Sequence, residues 1–154
     1  MKIRNLLVAL FVCAFAMALY AADNPNMGTW KLNEAKSKIP AGAPKNTTVV
    51  YSADGDNVRI TTDGVDGKGQ PAHSEWVGKF DGKDYPVTGG GNDATRSYKQ
   101  INERKLELTG KEGGKVVNHG TIEVSKDDKS RTVDLEGTAP DGKKMKTKAV
   151  YDKQ

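Results

Sequence analysis

Lys105 to Ser125 reads KLELTGKEGGKVVNHGTIEVS, and the spacing of its apolar residues decides what kind of fold the chain can adopt. Leu106 and Leu108 are separated by Glu107, and Ile122 and Val124 by Glu123, the period of two that a strand with one dry face requires. Between the two runs stands Glu112-Gly113-Gly114-Lys115, whose glycines supply the positive φ of a tight hairpin turn. Turns of the same kind recur at Asp66-Gly67-Lys68, Asp81-Gly82-Lys83 and Asp141-Gly142-Lys143. The stretches between them are not similar to one another, so they form a succession of hairpins rather than an array of repeats.

Working outward, alternation appears in Met27 to Leu32, Thr47 to Ser52, Asn57 to Asp63, Ala72 to Phe80, Thr95 to Ile101, Lys105 to Thr109, Lys115 to Ser125, Ser130 to Gly137 and Lys143 to Asp152. Tyr85 to Thr88 adds a short tenth piece. No window carries apolar residues at helical spacing over three turns; only Asn33 to Lys38 offers a capped helical turn, stopped by Pro40 and Pro44. Parity puts Val58, Ile60 and Thr62 on one face, and Trp76 and Phe80 on another with Ala72, Ser74 and Gly78. It also groups Leu106 with Leu108, Ile122 with Val124, and Val133 with Leu135. The opposite faces carry Arg59, Glu75, Lys79, Glu107, Glu123, Asp134 and Lys148. Short connectors make sequential strands antiparallel neighbours, so the expectation is an all-β, up-and-down meander of eight to ten strands. Closing it, wholly or nearly, into a barrel hides its edges.

The N-terminus carries a different signal. Lys2 and Arg4 precede an apolar run from Leu6 to Leu19 and small residues at Ala21 and Ala22, the layout of a cleaved signal peptide over residues 1–22. The expectation is export, to the periplasm or the medium, of a single domain over residues 23–154, with no membrane span left after cleavage. Cys13, the one cysteine, lies inside the signal, so no disulfide is available to the mature domain; Val12 before it stands where a lipid-attachment site needs a small residue. Without Lys2 and Arg4 the mature chain keeps 22 basic against 20 acidic residues, interspersed throughout, which argues against nucleic acid as a partner.

Gly28-Thr29-Trp30-Lys31-Leu32 resembles the Gly-x-Trp opening strand of the calycins, the lipocalins and fatty-acid-binding proteins, and Val150-Tyr151-Asp152-Lys153 is similar to their closing strand. The chain also resembles small exported bacterial proteins of uncharacterised function that share a Gly-Thr-Trp-Lys-Leu-Asn start and a Phe-Asp-Gly-Lys-Asp-Tyr-Pro-Val segment, here Phe80 to Val87. The calycin resemblance implies a lipocalin-like barrel with Trp30 packed across its closed end beneath a basic side chain from the last strand, Lys146 or Lys148. It departs from the fatty-acid-binding pattern at Ala149, which stands where an arginine two residues before the final tyrosine would hold a carboxylate.

Catalytic chemistry finds no set of residues to carry it. There is no mature cysteine and no Gly-x-Ser-x-Gly, and the only histidines, His73 and His119, fall on separate strands without metal-ligand spacing. His73 shares the polar face of Glu75 and Lys79. His119 lies with Val117 and Thr121, facing solvent or a cavity. Asp54, Asp56, Asp63 and Asp66 have the turn positions of residues that cap their own backbone, which is a commoner use than calcium binding. Gly67 to Ala72 spells a dinucleotide fingerprint, yet it leads into a strand and not a helix. The expectation is a non-catalytic protein without metal or cofactor, binding a small apolar or amphipathic molecule in the barrel through Trp76, Phe80, Tyr98, Leu106 and Leu108. The alternative is an envelope structural or protein-interaction module that uses its lysine-rich loops.

Overall fold

Ten strands follow one another in the computed structural model, which describes residues 24–91, 93–138 and 141–154: β1 (Gly28–Leu32), β2 (Lys45–Asp54), β3 (Asn57–Val65), β4 (Pro71–Gly78), β5 (Tyr85–Thr88), β6 (Ala94–Asn102), β7 (Lys105–Glu112), β8 (Lys115–Val124), β9 (Ser130–Thr138) and β10 (Lys144–Lys153). Each pairs antiparallel with its sequence neighbours, and β1 closes the ring by pairing with both β2 and β10. Closure is made by Trp30, opposite Val49 on one side and Lys153 on the other. Every strand then has a partner on each side, which removes the unpaired edges of an open meander. The expected signal peptide lies outside the described residues. Among the described residues no helix is long and apolar enough to cross a membrane, a statement that does not bear on β-barrels.

The hairpin from Lys105 to Val124 shows how local sequence sets the ladder. Gly113 and Gly114 both have positive φ, +52° and +78°, the twist that joins right-handed strands through a two-residue turn. Register then places Leu106 opposite Ile122 and Leu108 opposite Gly120, so the apolar sets of both strands face the same way. The expected helical turn at Asn33 to Lys38 is a single 3-10 turn, Glu34–Lys36, with the Asn33 side chain accepting from the Lys36 N–H.

The strand expected to run to Phe80 ends at Gly78. A side chain at Gly78 would collide with the Tyr85 ring, at 2.6 Å, so the backbone and that ring occupy adjoining space and the chain breaks towards β5. Phe80 instead bridges to β6 through its carbonyl, which accepts from the Gln100 N–H. Pairing is thinnest here: β5 matches β4 and β6 over two residue pairs each.

An up-and-down barrel has two ends, and they differ. Both described termini reach the same end, here called the base, where Asn24–Met27 folds across the opening. Asn26 is fully buried and its carbonyl accepts from the Trp30 indole N–H at 2.9 Å. The Asn26 side-chain amide donates to the Glu103 carbonyl, and Lys153 Nζ to that of Pro25, tying the plug to β10 and the β6–β7 turn. The core lies towards this base: Trp30, Tyr51, Ile60, Trp76, Tyr98, Leu106, Ile122, Val124 and Tyr151 are all buried in one cluster. The opposite end, the rim, carries the β1–β2 connector and the β3–β4, β5–β6, β7–β8 and β9–β10 connections.

Candidate functional site

The inward faces of β4, β6 and β7, with the segment that follows β4 carrying Phe80, bring the five expected ligand-lining residues into one place. Tyr98 is opposite Leu108, and the Trp76 ring meets the Tyr98 ring edge-on at 4.7 Å and the Phe80 ring in a stack at 6.4 Å. Trp76, Tyr98, Leu106 and Leu108 are buried and Phe80 is half-buried. Tyr51 packs against both Phe80 and Tyr98, at 6.4 and 6.5 Å between ring centres, and Tyr85 meets Trp76 edge-on at 5.6 Å. The Trp76 indole N–H donates to the Arg96 carbonyl at 2.9 Å, which fixes the ring and satisfies its polar atom. These rings form an aromatic floor inside the barrel, on its base side.

Above the floor, towards the rim, most inward positions of β3, β4, β7, β8 and β9 carry small side chains, while Met145 of β10 faces Gly137. Thr62 and Ser74 face each other with their hydroxyls 2.6 Å apart, Gly64 pairs with Ala72, and Gly110 with Asn118, which in turn pairs with Gly137. Gly64, and Gly120 opposite Leu108, are demanded by the close approach of the neighbouring strand. A side chain on Gly64 would reach within 2.0 Å of the Lys45 carbonyl oxygen, and one on Gly120 within 1.9 Å of that of Asp134.

Two arginines point inward that sequence reasoning passed over. Arg131, at the start of β9, is 2% exposed, with its guanidinium carbon 4.8 Å from the Trp30 ring centre, 4.7 Å from Tyr51 and 5.0 Å from Tyr151. Its Nε and Nη1 atoms are buried without a hydrogen-bond partner. Half-buried Arg96, on β6 two residues before Tyr98, has Nη1 3.4 Å from the Tyr98 hydroxyl. Burial, then the neighbouring Tyr98, raises the Tyr51 phenol well above its usual range, while Arg131 and Arg96 pull it down. Burial likewise raises Tyr151. Proximity to Tyr98 raises Arg96 further, so it stays charged. The signal that would have revealed these arginines is parity alone: Arg96 shares a face with Tyr98, and Arg131 with Val133 and Leu135.

The basic partner of Trp30 therefore differs from the expectation. Lys146 and Lys148 are exposed on the outer face of β10, Lys146 paired with Glu136 at 2.5 Å, because the inward set of that strand is Ala149 and Tyr151 and their odd-numbered companions. Arg131 stacks on Trp30 in their place, with Lys153 Nζ 5.1 Å from the same ring.

The remaining candidates lie outside the barrel. His73 is exposed and meets Asp63 at 2.6 Å across β3 and β4. His119 is exposed on the outer face of β8, where with Thr109, Val116 and Thr121 it borders a shallow cavity of about 410 Å³. A second cavity of about 340 Å³ sits at the rim between the β1–β2 connector and the β3–β4 turn, lined by Ile39, Ala43, Lys45, Val65 and Asp66 among others. Trp76, Phe80 and Tyr98 line neither. Asp54 is engaged by Arg59 at 2.7 Å, and Asp66 accepts the Lys68 and Gln70 N–H groups within its own turn. Among the described residues no three of His, Cys, Asp or Glu converge as metal ligands.

Together these features define a closed, ten-stranded, up-and-down β-barrel whose interior is aromatic and cationic. No known protein family and no curated protein matches the sequence.

Proposed function

We propose that this is an exported, non-catalytic barrel of lipocalin-like type that binds a small apolar or amphipathic molecule between its aromatic floor and its rim. One observation carries the reading: on the rim side of the aromatic floor, Thr62, Gly64, Ala72, Ser74, Gly110, Asn118 and Gly137 put small side chains or none on the inward positions of β3, β4, β7, β8 and β9, with Met145 of β10 the large one among them. Barrel diameter grows about linearly with strand number, so ten strands enclose an interior roughly a quarter wider than the eight that side chains just fill. Small inward residues towards the rim occupy less of that interior, and Trp76, Phe80, Tyr98, Leu106 and Leu108 offer a guest an apolar surface.

The test is a titration of the purified mature protein with Nile red, a neutral apolar dye, alongside native mass spectrometry for a retained molecule. Saturable one-to-one binding is expected, abolished in Ser74→Phe, which places a ring among the small inward side chains. Absence of saturable binding, or equal binding by the Ser74→Phe protein in its folded state, overturns the reading and favours an interaction or structural role.

A further inference from the structure

Folded proteins rarely leave a guanidinium inside without an acid to meet it, because desolvating a cation costs several kcal/mol of effective penalty unless it is paired. This barrel holds two such groups. No ion pair among the described residues includes Arg96 or Arg131. The carboxylates that are not exposed are engaged elsewhere: Asp54 and Glu75 flank Arg59, Asp128 holds Arg104, Asp152 accepts from the Asn33 amide, and Asp66 caps its own turn. All the other described carboxylates are exposed. The interior is thus positively charged with no internal counter-ion.

The two cations are not equivalent. Arg131 sits at the base, where three aromatic rings surround it, and cation-π attraction offsets part of its burial. Arg96 lies at the boundary between the aromatic floor and the small-residue half, and its hydrogen-bond contact with another side chain is the long one to the Tyr98 hydroxyl. Tyr51 connects the pair, stacked beneath Arg131 and packed edge-on to Tyr98. Its phenol, and so its hydrogen-bond donor, persists at neutral pH.

We infer that the molecule held in the barrel carries an anionic, acceptor-only group of the carboxylate class, bound by the Arg96 guanidinium and the Tyr98 hydroxyl at the floor, with Arg131 adding to the field from below. A planar guanidinium offers two parallel N–H donors to a carboxylate, and a neighbouring phenol supplies a third. The rim half above is lined by Thr62, Ser74 and Asn118 as well as Gly64, Ala72 and Met145, so the body of the guest meets polar and apolar side chains together, as an amphipathic molecule does. The inference rests on the barrel-binding reading and adds the identity of the recognised group.

Isothermal titration with hexanoate, hexan-1-ol and acetate separates the two claims. Hexanoate is expected to bind saturably to the wild-type protein. Arg96→Gln should lose tenfold or more of that affinity while its affinity for hexan-1-ol changes less than twofold, and acetate should compete at millimolar concentration. Unchanged hexanoate affinity in Arg96→Gln, or binding of hexan-1-ol with none of hexanoate, overturns the anion assignment and leaves the barrel reading standing. Failure of hexanoate to bind where Nile red binds overturns the anion assignment alone; if hexanoate, hexan-1-ol and Nile red all fail to bind, the barrel reading falls and the inference with it. Competition by acetate that persists in Arg96→Gln assigns the anion to another site and overturns the inference. Circular dichroism checks that the variant is folded; should it not fold, Tyr98→Phe removes a single donor, and a loss of hexanoate affinity without loss of hexan-1-ol affinity is the result required.

Discussion

Replacing Trp30 by phenylalanine tests the link between the opening strand and the base of the barrel. Trp30 is fully buried, its indole N–H donates to the Asn26 carbonyl at 2.9 Å, and Arg131 and Lys153 lie over its ring. The substitution leaves the buried Asn26 carbonyl without its donor, a cost of about 1–3 kcal/mol. It also removes two carbons' worth of buried apolar surface, about 1.6 kcal/mol at 0.8 kcal/mol for each, before any cavity left behind is counted. A smaller ring weakens the cation-π contacts by a further fraction of a kcal/mol. The expected loss is therefore about 3–5 kcal/mol, a lowering of the melting temperature by roughly 10 °C or more for a domain of this size. Urea unfolding followed by circular dichroism gives the number directly, with an unchanged m-value expected because the barrel still unfolds as one unit. A loss under about 1 kcal/mol would refute the reasoning: Asn24–Met27 would then be a dispensable lid, and the Trp30–Arg131 stack would contribute little to closing the base.

Three further outcomes follow from the packing and the charges. Leu106→Ala removes a fully buried side chain, and the expected cost is about 3–4 kcal/mol by urea denaturation, within the range for leucine deletions in cores. Gly120→Ala sets a methyl group against the Asp134 carbonyl oxygen, so β8 and β9 must part; the expected result is little soluble, folded protein by circular dichroism and gel filtration, whereas Gly142→Ala, which meets open space and bears only the strain of its φ of +82°, should fold. Alkaline pH should destabilise the barrel. Burial raises Tyr51 and Tyr151 above the ordinary tyrosine value near 10, so their contribution is complete below pH 10 and is lost as pH rises through that value towards their folded ones, each unit crossed removing about 1.4 kcal/mol per group. A urea midpoint that is flat from neutral pH to about 9 and falls above 10, with a shallower fall in Tyr51→Phe, is the expected profile; an unchanged slope in that variant contradicts it.

The sequence by itself determined the ladder. Alternation and glycine turns place nine of the ten strands within three residues of their ends in the structure, and the four-residue β5 was legible as Tyr85 to Thr88, because side-chain period and turn chemistry are local properties of the chain. Parity also read Ile60, Trp76, Leu106 and Ile122 as facing inward. Parity fails where the chain leaves the sheet, so Phe80 was assigned to a strand that stops at Gly78, although its ring still joins the cluster that parity predicted. Tertiary structure alone decided which cation meets Trp30. Lys146 and Arg131 both come from strands near the closure, and strand register turns one outward to Glu136 and the other inward onto three rings. It alone also gathered the aromatic rings into one cluster, put Thr62, Ser74, Gly110 and Asn118 on the inward face towards the rim, and set Arg96 inward without an acid. Which residues of distant strands share a level in a barrel depends on register summed around the ring, and no single segment of sequence contains that sum.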